Sequence, residues 1–194
     1  MAEPNKDHKV KGTLLVALAM VINASKNVDW SKETVLTEED LMQIKKGIMA
    51  FQWYDRGLWE RMSISVYRLV GKSNPEMAYQ FGKGVLADSL LKIYQGSLVT
   101  NDFKELTKTF AEFYGTAWFN FGQAEFTLTE KEKIFKIYHP EGIPIQECFI
   151  PMVKGVVTRL IESNGGKNVR VECEQEKLAL SQKLDTVTFH IYWD

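Results

Sequence analysis

The chain has 194 residues, 45% of them hydrophobic, with 24 basic and 25 acidic side chains and a formal net charge of −1. That length and apolar content suit one domain with a real core and exclude global disorder. The even charge balance, with no long basic run, leaves no electrostatic footprint for nucleic acid or an anionic membrane, and neither is expected as a partner.

In chain order, residues 1–11 are polar and read as loose. Thr13 to Ile22, TLLVALAMVI, is apolar and follows Lys9 and Lys11. It resembles the core of a secretory signal, but Glu3 and Asp7 dilute the basic start and the run is too short to span a membrane. It is read as a buried first helix from about Gly12 to Asn23. Thr37 is placed to N-cap a short second helix, with Glu38, Glu39 and Asp40 in its first turn, Leu36 and Leu41 as a hydrophobic staple, and Gly47 as its stop.

A third helix is expected from about Asp55, with Leu58, Met62, Val66 and Leu69 on its inner face and Gly71 at its end. Asn74-Pro75 reads as an N-cap and first helical residue, opening a helix that stops by Gly96. Another begins near Asn101 or Asp102 and buries Phe103, Leu106, Phe110, Phe113 and Ala117. Past Gly122 the pattern changes to strands at Phe126–Leu128 and Ile134–Tyr138, with a turn between and another at residues 139–142. A helix starting near Pro151, or at Pro144 with a kink, ends at Asn164-Gly165-Gly166. Two alternating strands close the chain, around Val169–Cys173 and Thr186–Trp193. The sum is an α+β fold in a single domain, 1–194, mainly helical over 12–121 and mainly strands plus one helix over 122–194.

Catalytic signatures are absent: there is no Gly-rich phosphate loop, nucleophile elbow, HExxH or zinc spacing. An enzyme is therefore not expected. The two cysteines, Cys148 and Cys173, lie in no CxxC pair and read as interior, unpaired thiols in a reducing, cytoplasmic setting. Cys148 and His139 lie close in sequence, but no orienting acid or oxyanion hole accompanies them, so a buried Cys and a surface His is the reading. Haem would need an axial donor in an apolar pocket, and nothing in the sequence singles out His139 or Cys148 for that role. The aromatic residues carry more information. Trp53, Tyr54 and Trp59 form one cluster, and Tyr114, Trp118 and Phe119 belong to another; packing is the plain reading, the wall of an apolar small-molecule pocket the sharper one.

The segments VKGTLLVALAMVI, IMAFQWYDRGLWERM and CFIPMVKGVVTRLIESNGGKNVRVE, with a last strand ending at Trp193, resemble an uncharacterised bacterial family of deltaproteobacteria and myxobacteria. That family is similar to the 4-vinyl reductase domain and to the ligand-binding fold of nitric-oxide signalling and Golgi-transport proteins. The resemblance implies helices packed on a small antiparallel sheet, pairing as homodimers, and a small hydrophobic ligand (aromatic, acyl or tetrapyrrole) held between helices and sheet. Relatives also hold zinc through C-terminal cysteines. Cys148 matches a cysteine of the helix, but residues 174–187 lack the Gly-Asp turn and the paired cysteines. Neither zinc nor haem, nor any other cofactor, is therefore expected. The function expected is a ligand-binding or sensory module lined by Trp53, Tyr54, Trp59, Tyr114, Trp118 and Phe119. The alternative is a dimerising adaptor without a ligand.

Overall fold

The computed structural model describes residues 7–32, 34–130, 132–139, 145–175 and 186–194. Strand β1 (Lys9–Lys11) runs directly into helix α1 (Gly12–Ala24), followed by α2 (Glu38–Lys46), β2 (Trp53–Asp55) and α3 (Arg56–Ser65). Then come α4 (Pro75–Gln80), α5 (Ala87–Leu98), α6 (Phe103–Phe113), β3 (Gln123–Leu128), β4 (Lys133–Tyr138), α7 (Phe149–Ser163), β5 (Arg170–Cys173) and β6 (Thr186–Tyr192). Helices and antiparallel sheets together make the α+β fold that the patterning predicts.

Local chemistry explains most boundaries. Thr37 and Asp40 form a reciprocal capping box: the Asp40 N–H donates to the Thr37 hydroxyl at 3.1 Å, and the Thr37 N–H to the Asp40 carboxylate at 2.9 Å. Asn74 caps α4 through Glu76 N–H, with Pro75 at the first helical position. The Asp102 carboxylate accepts from the N–H groups of Lys104 and Glu105. Pro151 sits in the first turn of α7, where its missing N–H has no intrahelical partner to lose. The helix therefore starts just before Pro151. The alternative start at Pro144 and the turn over residues 140–142 lie outside the described residues.

Of two expectations about the start of the chain, one is corrected and the other, the buried first helix, is met. Residues 9–11 are not loose, because Lys9, Val10 and Lys11 pair antiparallel with Asp55, Tyr54 and Trp53. Val10 is fully buried and bridges to Phe119. The apolar side chain of Val10, alone among its polar neighbours, anchors this segment. The apolar run of residues 13–22 is an interior helix, with Leu14, Leu15, Ala17, Leu18 and Ile22 all buried. Among the described residues, no helix is long and apolar enough to cross a membrane.

The main sheet has the order β3-β4-β6-β5, all antiparallel. Its inner face carries Phe135, Ile137, Val187, Phe189 and Ile191, each buried, and the rings of Phe126, Phe135 and Phe189 stack across three strands. Burying each of these side chains contributes about 1.5–3 kcal/mol. Helix α7 packs on β5 and against α4 and α5, and α6 packs against α5 and β3.

Three helices do not end where their α-turns end. Each continues as a π-helical segment, Val66–Val70 after α3, Phe81–Leu86 between α4 and α5, and Tyr114–Trp118 after α6. The Gly71 N–H reaches back five residues to the Val66 carbonyl at 2.9 Å, and Phe119 N–H does the same to Tyr114 at 3.2 Å. Such widened turns are rare and frequently mark functional sites. Here all three border a cavity.

Candidate functional site

Trp59, Tyr114, Trp118 and Phe119 come together around a cavity of about 50 Å³ between the helical layer and the sheet. Trp59 is supplied by α3, Tyr114 and Trp118 by the π-helical end of α6, and Phe119 by the extended residue that follows it. The wall is completed by Leu14, Phe110, Ile137, Phe149, Met152 and Val156, among others. Its rings meet mostly edge to face: Trp59 with Phe119 at 5.6 Å, Trp59 with Phe149 at 6.4 Å and Phe110 with Trp118 at 5.0 Å between centroids.

Trp53 and Tyr54 lie elsewhere. Both sit on β2, whose pairing with β1 separates them from Trp59. The Trp53 ring is covered by the Lys11 ammonium at 4.4 Å. Tyr54 is buried beneath the preceding loop, its hydroxyl accepting from Met49 N–H at 2.7 Å and donating to the Gln52 side chain at 3.3 Å. Closeness in sequence groups the three rings, but the strand-to-helix junction at Asp55 divides them. The wall residues that sequence reading left as plain core, Phe110, Phe149, Val153 and Val156, stand on the inner stripes already visible in α6 and α7. No signal distinguishes a stripe that faces a cavity from one that faces solid packing.

A narrow cleft adjoins the cavity and shares Trp59, Tyr114, Phe119 and Phe149 with it. Its polar lining is Arg56, Glu60, His139 and Gln146. Arg56 and Glu60 are ion-paired at 2.8 Å one helical turn apart. His139 is not the surface histidine the sequence suggests. Both its ring nitrogens are buried and have no hydrogen-bond partner among the described residues, and its ring meets Phe149 edge-on at 5.2 Å. Burial, and secondarily the nearby Arg56 charge, push its pKa down to about 4, so the imidazole is neutral at physiological pH.

Cys148 is buried and free, but it lines a different cavity, so it does not join His139 in a nucleophile pair. Burial pushes its thiol up to about 12. Cys173, also in no disulfide, is only half-buried, and its thiol faces the Gln175 side chain at 3.8 Å. His190 pairs with Glu174 at 2.7 Å, away from the site.

The donor atoms at the cavity and cleft are few. The Tyr114 hydroxyl is held far from ionisation by burial, the Met152 thioether lies in the wall, and His139, Gln146 and the Glu60 carboxylate lie behind it. Glu60 is taken by Arg56, so the neutral imidazole, with no partner among the described residues, is the best metal ligand of these. It stands beside the Arg56 guanidinium, whose chemistry suits a carboxylate and which here meets that of Glu60. The donor chemistry therefore fits a haem-class group, whereas the cavity volume lies well below the roughly 300–1,000 Å³ usual for a ligand pocket.

No family model matches the chain, and no curated protein sequence matches it. Solved structures do. The chain is similar to an oxygen-binding H-NOX domain related to soluble guanylate cyclases, at 11% identity and TM-score 0.62 with 95% of each chain covered. It is similar to an Fe(II) unliganded H-NOX protein from K. algicida, at 10% identity and TM-score 0.62 over 95% of this chain and 96% of that one. A third likeness, at 10% identity and TM-score 0.63 with 95% of each chain covered, is to a structure solved to probe the function of heme distortion in the H-NOX family. The expectation that haem has no place in this chain is corrected by these likenesses, because they join it to a fold whose solved members include haem domains. At the level of architecture, this chain has the H-NOX fold.

Proposed function

We propose that the chain is a ligand-binding sensory module, that its ligand lies between the helical layer and the sheet against Trp59, Tyr114, Trp118 and Phe119, and that the ligand is of the haem class, with His139 as the residue that would hold its iron. The observation that carries this reading is the convergence of those four rings, in an H-NOX fold, on a cavity whose adjoining cleft holds an imidazole with both ring nitrogens buried and without a partner among the described residues. When bound, haem would supply an iron centre for a small gaseous ligand. The residues of this chain would supply a nitrogen to hold the iron (His139), a cation for a propionate once released from Glu60 (Arg56) and a ring wall that excludes water.

Because the cavity is about 50 Å³, loading requires that wall to part. Binding without turnover, a homodimeric state, a cytoplasmic location and kinship with the 4-vinyl reductase domain belong to the same proposal. Native mass spectrometry of the purified protein, compared with the denatured chain, tests it. A discrete mass excess lost on denaturation, with the mass of a haem-class group, is expected. A discrete excess of another mass overturns the haem assignment, and failure to acquire any such excess after incubation with haemin overturns the proposal.

A further inference from the structure

A larger cavity, about 280 Å³, lies wholly within the helical layer. Helix α1, the π-helical end of α3, the α4–π segment and the first turns of α7 enclose it, and among its lining residues only Met152 also faces the interlayer cavity. We propose that it is a second binding site, for a small apolar molecule carrying one hydrogen-bonding group, an aliphatic alcohol being the simplest.

The lining is almost entirely aliphatic or aromatic, with Leu18, Val66, Val70 and Phe81 on its walls. Among the described residues, each polar side chain of the lining except Ser63 has a hydrogen-bond partner. The Tyr67 hydroxyl donates to the Ser73 carbonyl at 2.9 Å, Gln80 donates to Glu76 at 2.7 Å, and the Cys148 thiol faces the Gln146 side chain at 3.9 Å. Ser63 is 97% buried (3% exposed), and its hydroxyl has no partner among the described residues. An unsatisfied buried hydroxyl on a side chain that lines an apolar cavity calls for an explanation. A ligand hydroxyl supplies it, accepting from or donating to Ser63 while its alkyl chain fills the space.

The framework holds this cavity open. A methyl group at Gly82 would collide with the Met152 carbonyl, and one at Gly155 with the Tyr79 carbonyl and the Lys83 N–H. The π segment and α7 therefore touch backbone to backbone. With those backbones in contact, the helices cannot slide together over the small Ala78 side chain to close the gap. Met77 and Val85, at 47% and 37% exposure, stand at the cavity edge and give it a mouth.

The test is a methyl-resolved NMR titration of the whole chain with hexanol, and with hexane as the comparison. Saturable shifts are expected at Leu18, Val66, Val70 and Val85. Ser63→Ala should weaken hexanol binding roughly threefold to tenfold, the effect of one lost hydrogen bond, and leave hexane unchanged. Val85→Trp, an exposed substitution at the mouth, should weaken both. The inference is overturned by no saturable shift, by shifts centred on Leu14, Leu90 and Val156 of the interlayer cavity, or by a Ser63→Ala protein that binds hexanol as well as the parent does. This outcome is independent of whether the interlayer site takes haem.

Discussion

Replacing Asn164 with leucine should cost more stability than any other single polar substitution away from the two cavities. Asn164 follows the last residue of α7 and is 5% exposed. Its amide nitrogen donates to the carbonyls of Leu98 and Leu160 at 2.8 and 2.9 Å, and its oxygen accepts from the N–H groups of Thr100 and Asn101 at 2.8 and 3.2 Å. One side chain thus ties the end of α5, the loop before α6 and the last turn of α7, and it steadies Asn101 in a left-handed conformation at φ 57°. Leucine keeps the volume and removes all four bonds. Water can reach the two loop N–H groups, but the two carbonyls bonded to the buried amide stay dry. About 0.5 kcal/mol for each of the two bonds that water can replace, and about 1 kcal/mol for each of the two carbonyls left dry, gives a loss of about 3 kcal/mol. For a chain of this size that is a melting temperature roughly 6–12 °C lower. Urea denaturation monitored by tryptophan fluorescence reads the change directly. A loss below about 1 kcal/mol with an unchanged slope would refute the clamp.

Three further outcomes follow from the same contacts. Asp40 is buried, and burial pushes its carboxyl up, but the hydrogen bonds from Arg61 and Thr37 outweigh that and hold it below the usual carboxylate value. The ion pair therefore adds stability above the ordinary carboxylate range, and that stability disappears as pH falls through the lowered folded-state value. Asp40→Asn should destabilise by about 1–3 kcal/mol at neutral pH and by much less in acid, and an equal difference at both would contradict this. Cys148, with its thiol buried and pushed up to about 12, should resist iodoacetamide at mildly alkaline pH until the chain unfolds, and rapid native labelling read by mass spectrometry would contradict its placement. Gly155→Ala should destabilise by about 1–3 kcal/mol through overpacking against Tyr79 and Lys83, whereas Gly84→Ala, with nothing near its added methyl, should be stabilising or neutral. Thermal melts of the two variants that shift alike would sink the close-contact argument.

How legible the chain is depends on the range of the interaction that decides each feature. Thr37, Asn74, Asp102 and the alternating closing strands act locally, and each appears in the structure where its chemistry places it. The first strand is invisible because its only signal is Val10 among lysines, and its partner lies more than forty residues away, as the Val10–Tyr54 pairing shows. The π-helical turns carry no composition signal and are set by packing. At the site, the sequence supplies four of the rings that meet, but ring density cannot show that β2 sets Trp53 and Tyr54 apart from Trp59. His139 is misread because a turn-like sequence suggests solvent, while Phe149, Ile145 and Phe121 line the cleft around it.

The most direct test of the central claim is titration of the ligand-free protein with haemin, followed by its Soret absorbance, beside the His139→Ala variant. The account predicts saturable binding with a Soret band moved from that of free haemin, and a band that is shifted again or lost in the variant. A spectrum that stays that of free haemin, or a bound spectrum identical in the two proteins, would contradict it.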